Sequence, residues 1–297
     1  MTRTRLEAGD FPAEVLTLFD QYIHGIIDRR GFLDGAAKFT AAGMSASMFL
    51  DALSPEYAWA AEVPEDDPRV AREYVEYPSP QGSGTMRGYM ARPTGVDGPW
   101  PSVLVIHENR GLNPYIEDVV RRFGAAGFLA LGPDALTPLG GYPGTDDEGR
   151  TMQRQLDRGT MTEDFMAGAR FLVDHPESTG RVGAVGFCFG GGMVGTLAVR
   201  MSDLGAGVIF YGSQPDPEDV PSIQAPLLIN YAGLDERVNA GWPEFQAALE
   251  EHEKTYTMHM YPDVNHGFHN DTTPRYDEAA ARLAQERTIA FFREHLG

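Results

Sequence analysis

The chain has 297 residues, room for one large domain with an extension, and a formal charge of −19 with a pI near 4.7, a surface that would repel nucleic acid and anionic membrane alike. Its single cysteine excludes an internal disulfide framework and a paired-cysteine redox motif. No run of about 20 uninterrupted apolar residues is present, so a spanning helix is not expected.

Phe11, Val15, Leu16, Leu18, Phe19, Tyr22, Ile23, Ile26 and Ile27 recur at helical spacing and predict an amphipathic helix over 11–27. Arg29-Arg30-Gly31-Phe32-Leu33 follows, then an alanine-rich stretch through Leu50 and the small-x-small Ala58-Trp59-Ala60. That order resembles a twin-arginine export signal. It departs from one where Glu7, Asp10, Glu14, Asp20 and Asp28 make the leading segment acidic, and where Lys38 and Asp51 interrupt the apolar stretch. The expectation is a retained helical extension over 1–65 in a cytoplasmic protein, packed on the rest of the chain or on a second copy in a homo-oligomer. The alternative is periplasmic export.

Ala61–Arg69, acidic and proline-containing, reads as a linker, and residues 66–297 as one further domain. Glu73–Tyr77 and Met86–Ala91 predict an antiparallel hairpin, and Ser102–Ile106 a strand covered on both faces. A helix over 116–126, a strand over 128–131, a polar loop through Gly149 and a helix over 163–174 come next. Strands over 208–211, 227–231 and 256–261 then alternate with helices over 243–251 and 277–295. This alternation predicts an α/β fold: a mostly parallel sheet with helices on both faces and a site beyond the carboxyl ends of its strands.

Between the strand Val182-Gly-Ala-Val185 and the helical spacing of Met193, Leu197 and Val199 lies Gly186-Phe-Cys-Phe-Gly190, the cysteine form of a nucleophile elbow. Its tight turn requires small residues at both glycines. It would expose the Cys188 sulfur over the sheet edge, at a helix N-terminus whose dipole favours thiolate. A nucleophile so placed needs an acid and a histidine later in the chain, each at a strand end. Asp235 follows the strand over 227–231 and His266 follows that over 256–261, with Glu236, Asp263 and His269 as competitors.

Gly-Phe-Cys-Phe-Gly-Gly-Gly, Ala-Gly-Leu-Asp and Val-Asn-His-Gly-Phe, preceded by Val-Ile-His-Glu-Asn-Arg-Gly-Leu-Asn, together resemble the dienelactone hydrolase (carboxymethylenebutenolidase) family of α/β-hydrolases over about 70–297. The resemblance implies an eight-stranded sheet, no metal or organic cofactor, and hydrolysis of a small carboxylic ester or enol-lactone through an acyl thioester. It implies Cys188, His266 and Asp235 as the catalytic residues, with Glu108 on the resting thiol. The backbone N–H groups of Asn109 and Phe189 would form the oxyanion hole. His107 is expected to be a hydrogen-bonding residue rather than a base.

The family holds a substrate carboxylate with arginines, one of them a few residues after the histidine, and here none occurs before Arg275. Arg110, Arg150, Arg154 and Arg237 are the candidate replacements. The rival readings are a noncatalytic thiol redox sensor, or an assembly protein whose N-terminal helices are the working part.

Overall fold

The structure is a computed structural model and describes residues 6–42, 44–57 and 62–297. Its centre is an eight-stranded sheet in the order β1-β2-β4-β3-β5-β6-β7-β8. β1 (Val70–Ser79) and β2 (Gly84–Pro93) form the expected antiparallel hairpin, and β2 runs antiparallel to β4 (Leu129–Pro133). β3 (Trp100–Ile106), β4, β5 (Ser178–Phe187), β6 (Ala206–Phe210), β7 (Leu227–Ala232) and β8 (Tyr256–Tyr261) are mutually parallel. Strands β3, β6 and β7 are buried almost throughout, as a sheet covered on both faces requires.

Two apolar layers sandwich the sheet. One includes Leu104, Ile106, Phe165, Met193 and Ile229; the other includes Val103, Val105, Phe123, Phe187 and Phe292. The helices that close them include α4 (Pro114–Ala125), α6 (Arg158–Asp174), α7 (Phe189–Arg200), α9 (Trp242–Glu251) and α10 (Glu278–Leu296). Most have a side-chain cap at the start, for example Asn113 accepting from the Ile116 N–H at 3.1 Å and Asp157 from the Thr160 N–H at 2.8 Å. The Asp157 cap begins α6 five residues earlier than apolar spacing suggested.

The loop expected through Gly149 instead holds a helical turn (Thr137–Leu139) and α5 (Asp146–Gln153). Helix α5 has no apolar stripe to read. It begins with Asp146, Asp147 and Glu148, whose charges suit a helix N-terminus. A further short helix, α8 (Glu236–Asn239), is capped by Asp235 itself, which accepts from the Val238 N–H at 3.1 Å.

Ahead of the sheet lie α1 (Ala13–Ile23), α2 (Arg29–Ala36) and α3 (Ala46–Leu53). Phe11, Val15, Phe19, Tyr22, Ile23, Phe32, Phe49, Leu50 and Leu53 bury one another in a cluster of their own. The first helix ends at Ile23 rather than near Ile27, because Gly25 adopts a left-handed φ of +75° and leaves Ile26 61% exposed. Arg29 and Arg30 open α2, with Asp28 capping it by accepting from the Gly31 N–H at 2.7 Å. Ala58-Trp59-Ala60 lies outside the described residues. Among those described, no helix is long and apolar enough to cross a membrane.

Candidate active site

Strand β5 runs into α7 through Cys188, which has φ +56° and ψ −112°, a strained conformation for a residue with a side chain. The glycines on either side make the turn possible. A Cβ on Gly186 would stand 2.0 Å from the Gly190 carbonyl oxygen, and one on Gly190 would stand 2.2 Å from that of Ile106. Bare backbone therefore lets the start of α7 press against the loop after β3. This close approach sets Phe189, first in the helix, next to the strand end that leads into Asn109.

From the other strand ends come Asp235, after β7, and His266, after β8. His266 Nδ1 lies 2.5 Å from Asp235 Oδ2, and both side chains are buried. Asp235 spends its other oxygen on the α8 cap, so the carboxylate is held from two sides. Its competitors are elsewhere: Asp263 sits in an exposed turn with φ +58°, and Glu236 is an exposed residue of α8. His269 meets the Tyr115 hydroxyl at 2.7 Å and Gln285 at 3.2 Å, and its burial beside Arg122 lowers it to about 3. His107 donates from Nδ1 to the Glu108 carbonyl at 2.5 Å and accepts the Ala135 N–H at Nε2 at 3.1 Å, which fixes a neutral tautomer.

Glu108, expected against the thiol, is instead bonded to Arg110 at 2.7 Å and Asn270 at 3.0 Å. The group on the sulfur is His24, from the turn after α1, with Nε2 3.3 Å from Sγ. The sulfur and one ring nitrogen each of His24 and His266 lie within 4.8 Å of one another. Burial pushes the Cys188 thiol upward, but the positive charges of His24 and His266 outweigh it and bring the thiol down to about 5. His266 shows the reciprocal effect. Burial would lower it, and the thiolate and Asp235 lift it to about 10.

Among the described residues this trio is the one group of such donors close enough to share an ion. Arg237 already places a guanidinium nitrogen 3.0 Å from His24 Nε2 and 3.3 Å from His266 Nδ1, a charge that opposes a cation there.

The four arginines proposed from sequence separate sharply. Arg110 is buried between Glu108 and Asp146, at 2.7 and 2.5 Å. Arg150 is ion-paired with Asp147 and lies over the Tyr22 ring, and Arg154 is an exposed residue packed on Gly25. None of these three lines the cavity of about 460 Å³ that opens beside Asp235 and His266, whereas Arg237 does. Arg275 lines it too, 3% exposed, with its Nε and Nη1 lacking any hydrogen-bond partner among the described residues. The far wall of the cavity is α1, through Leu16, Thr17, Asp20 and Gln21. Sequence reasoning passed over His24 because a lone histidine at a helix end carries no local signal of what it will meet.

The sequence model of the dienelactone hydrolase family matches residues 86–296. The chain belongs to that family. A separate model, described as YqhI-like, matches residues 1–38, the segment that carries His24. A chain of Escherichia coli K12 named as a hydrolase fragment, YghX, is 54% identical over 114 residues, 38% of this chain and 97% of that one. Carboxymethylenebutenolidase 1 of Cupriavidus pinatubonensis is 28% identical over 226 residues, 72% of this chain and 94% of its own. A crystal structure named as a dienelactone hydrolase of Klebsiella pneumoniae superposes with a TM-score of 0.66 at 26% identity, over 75% of this chain and 99% of that one. The dienelactone hydrolase-type chain described here is thus a hydrolase on the α/β-hydrolase fold, with an N-terminal segment that forms part of its cavity wall.

Proposed function

We propose that this hydrolase cleaves a small carboxylic ester or lactone through an acyl thioester on Cys188. The observation that carries the reading is the elbow sulfur, low enough in pKa to be thiolate at neutral pH, beside an imidazole whose far nitrogen is bonded to Asp235 at 2.5 Å. In this reading the thiolate attacks the carbonyl carbon, and the N–H groups of Asn109 and Phe189 receive the oxyanion. His266 protonates the leaving oxygen and then deprotonates the water that frees the acid, while Asp235 fixes its tautomer and supports its charge.

Arg275 is the basis for the substrate's character. Asp20 Oδ1 stands 3.9 Å from Arg275 Nη1, beyond hydrogen-bond reach, so Nε and Nη1 of this buried guanidinium still lack hydrogen-bond acceptors, which a substrate anion in the cavity would supply. The ester therefore carries a carboxylate, read by Arg275 with Arg237 at the rim. Glu108 serves to position Arg110 and Asn270 rather than to take the thiol proton. The N-terminal segment stays on the mature enzyme, since its removal would open one wall of the cavity.

The test is turnover of p-nitrophenyl acetate by wild type and Cys188→Ala, with intact-mass detection of an acyl adduct. Loss of turnover together with an adduct on the wild type alone supports the reading. Equal turnover by both ends it.

A further inference from the structure

We infer that His24, delivered by the N-terminal segment, is a further catalytic residue that exchanges a proton directly with the Cys188 sulfur. The inference rests on the reading of Cys188 as nucleophile. Its geometry is that of a prepared base. Nδ1 of His24 lies 2.7 Å from the Asp20 carbonyl oxygen and 3.2 Å from Asp20 Oδ1, two acceptors, so Nδ1 holds the proton and Nε2 faces the sulfur at 3.3 Å and the Arg237 guanidinium at 3.0 Å. His266 is arranged alike, with Nδ1 on a carboxylate and a ring nitrogen within 4.8 Å of the same sulfur, and the two rings meet edge to face with centroids 4.7 Å apart. The site therefore contains two carboxylate-backed imidazoles converging on one thiol.

The segment is fastened where the chemistry needs it. Ile23 O accepts from Asn109 Nδ2 at 2.7 Å, in the loop proposed to supply an oxyanion N–H. The Tyr22 hydroxyl donates to Asp147 at 2.8 Å, and Phe19 lies under the Arg275 guanidinium at 5.2 Å. His24 is not sealed in. Its side chain is 13% exposed, which gives the proton a route to solvent that His266, at 5%, has less of.

The groups facing His24 are Asp20 from its own helix, Cys188 from the elbow, His266 from the loop after β8, and Arg237 from α8. Asp20 and the thiolate favour its charged form. His266 and Arg237 oppose it, Arg237 by donating to Nε2 at 3.0 Å while the ring is neutral.

The protons balance as follows. Before substrate arrives the S–H bond breaks and an N–H bond forms at His24 Nε2, which leaves the resting thiolate beside a charged ring. The thiolate forms the S–C bond and the carbonyl π pair moves to oxygen. On collapse the C–O bond breaks, and the leaving oxygen takes the proton of His266. Water then adds after losing a proton to His266, the S–C bond breaks, and the thiolate returns to its place beside protonated His24. The net change is one ester and one water to one acid and one alcohol. Two bases divide the work: His24 serves the sulfur, and His266 serves the oxygens of alcohol and water.

The experiment measures the pH dependence of Cys188 alkylation by iodoacetamide, with kcat on p-nitrophenyl acetate, in full-length wild type, His24→Gln, His24→Ala and Asp20→Asn. The expected result is a thiol inflection in His24→Gln moved upward by about one pH unit or more, with kcat down about tenfold to a hundredfold. Added imidazole should restore part of the kcat of His24→Ala and none of that of His24→Gln, whose side chain fills the space. Asp20→Asn, which keeps the shape of the helix, should move the inflection the same way by less. An inflection and kcat within twofold of wild type in His24→Gln, with Cys188→Ala inactive, overturns the role of His24 alone. Full activity in Cys188→Ala overturns the nucleophile and this inference together.

Discussion

Cys188 and His24 meet at 3.3 Å, and the two regions that bring them there are built on different principles. The elbow is held by backbone. Its strand is paired on both sides by β3 and β6, its turn is fixed by carbonyls that leave no room for a Cβ, and its partners Asp235 and His266 are buried. The N-terminal segment is held by side chains: a small apolar cluster of its own, a few hydrogen bonds and the stacking of arginines on its aromatic rings. One region is rigid because altering it would break a sheet. The other is a separable module whose position can be tuned by single substitutions, and it forms one wall of the cavity.

If the rigid half carries the chemistry, its defects should appear in kcat without loss of fold. Asp235→Asn is the sharpest case. An asparagine oxygen can still accept the Val238 N–H and cap α8, but it cannot stabilise a charged His266 or enforce its tautomer. We expect kcat on an ester substrate to fall on the order of 10²- to 10⁴-fold with an unchanged melting temperature. A loss under tenfold would show that the carboxylate only caps the helix.

The segment should respond in the opposite manner, by loosening. Phe32 is fully buried and packs on Phe19 and Tyr22, at ring-centroid distances of 6.2 and 6.0 Å. Phe32→Ala should cost about 3–5 kcal/mol, spent inside the segment's own core. Hydrogen exchange should quicken across α1 to α3 while β3 and β5 remain protected. Equal acceleration in the sheet would mean that the two regions unfold as one.

Both regions act on the same charge pair, and pH tests the sum. The Cys188 value of about 5 lies below the ordinary 9.0 of a thiol, so the stabilisation of its thiolate is complete above about 9 and is lost as pH falls through 5. The His266 value of about 10 lies above the ordinary 6.5, so that contribution is complete below about 6.5 and is lost as pH rises through 10. The two apparent values belong to the coupled cluster. We expect kcat/KM to form a broad bell with limbs near 5 and 10. An acid limb at 8 to 9 would mean that the resting sulfur is a thiol.

This division also explains what could be read from sequence. The sheet was legible because β-branched runs and helical spacing are local, and the elbow because the glycines of its tight turn recur on either side of the cysteine. Asp235 and His266 were legible because fold topology puts strand ends together, so their order in the chain was enough. The contact of His24 with Cys188 spans 164 residues and depends on how α1 settles over the cavity, which no short pattern encodes. Glu108 shows the converse error. Its position in the motif pointed to the thiol, but Arg110 two residues later and Asn270 from another loop take the carboxylate. Of the four candidate arginines only Arg237 lines the cavity, and the others miss it for the same reason. Arg110 and Arg150 are consumed by Asp146 and Asp147, on a helix too polar for periodicity to announce.

The smallest expected effect separates the position of the segment from its chemistry. Tyr22→Phe removes the hydroxyl that donates to Asp147 and leaves the ring in its cluster. Asp147 still has Arg29 at 3.3 Å and Arg150, so the carboxylate is not stranded and the loss should be about 1 kcal/mol. That figure is roughly a fivefold rise in the share of molecules whose segment has lifted from the cavity. Because most molecules still keep the segment seated, KM for a carboxylate-bearing ester should change by less than about twofold, and the lifting itself should show as about fivefold faster hydrogen exchange in α1. The thiol inflection should move by only a few tenths of a pH unit, since most molecules keep His24 on the sulfur. A shift in the inflection as large as that of His24→Gln, with exchange in α1 unchanged, would place the influence of Tyr22 on the sulfur itself and remove the distinction between wall and base.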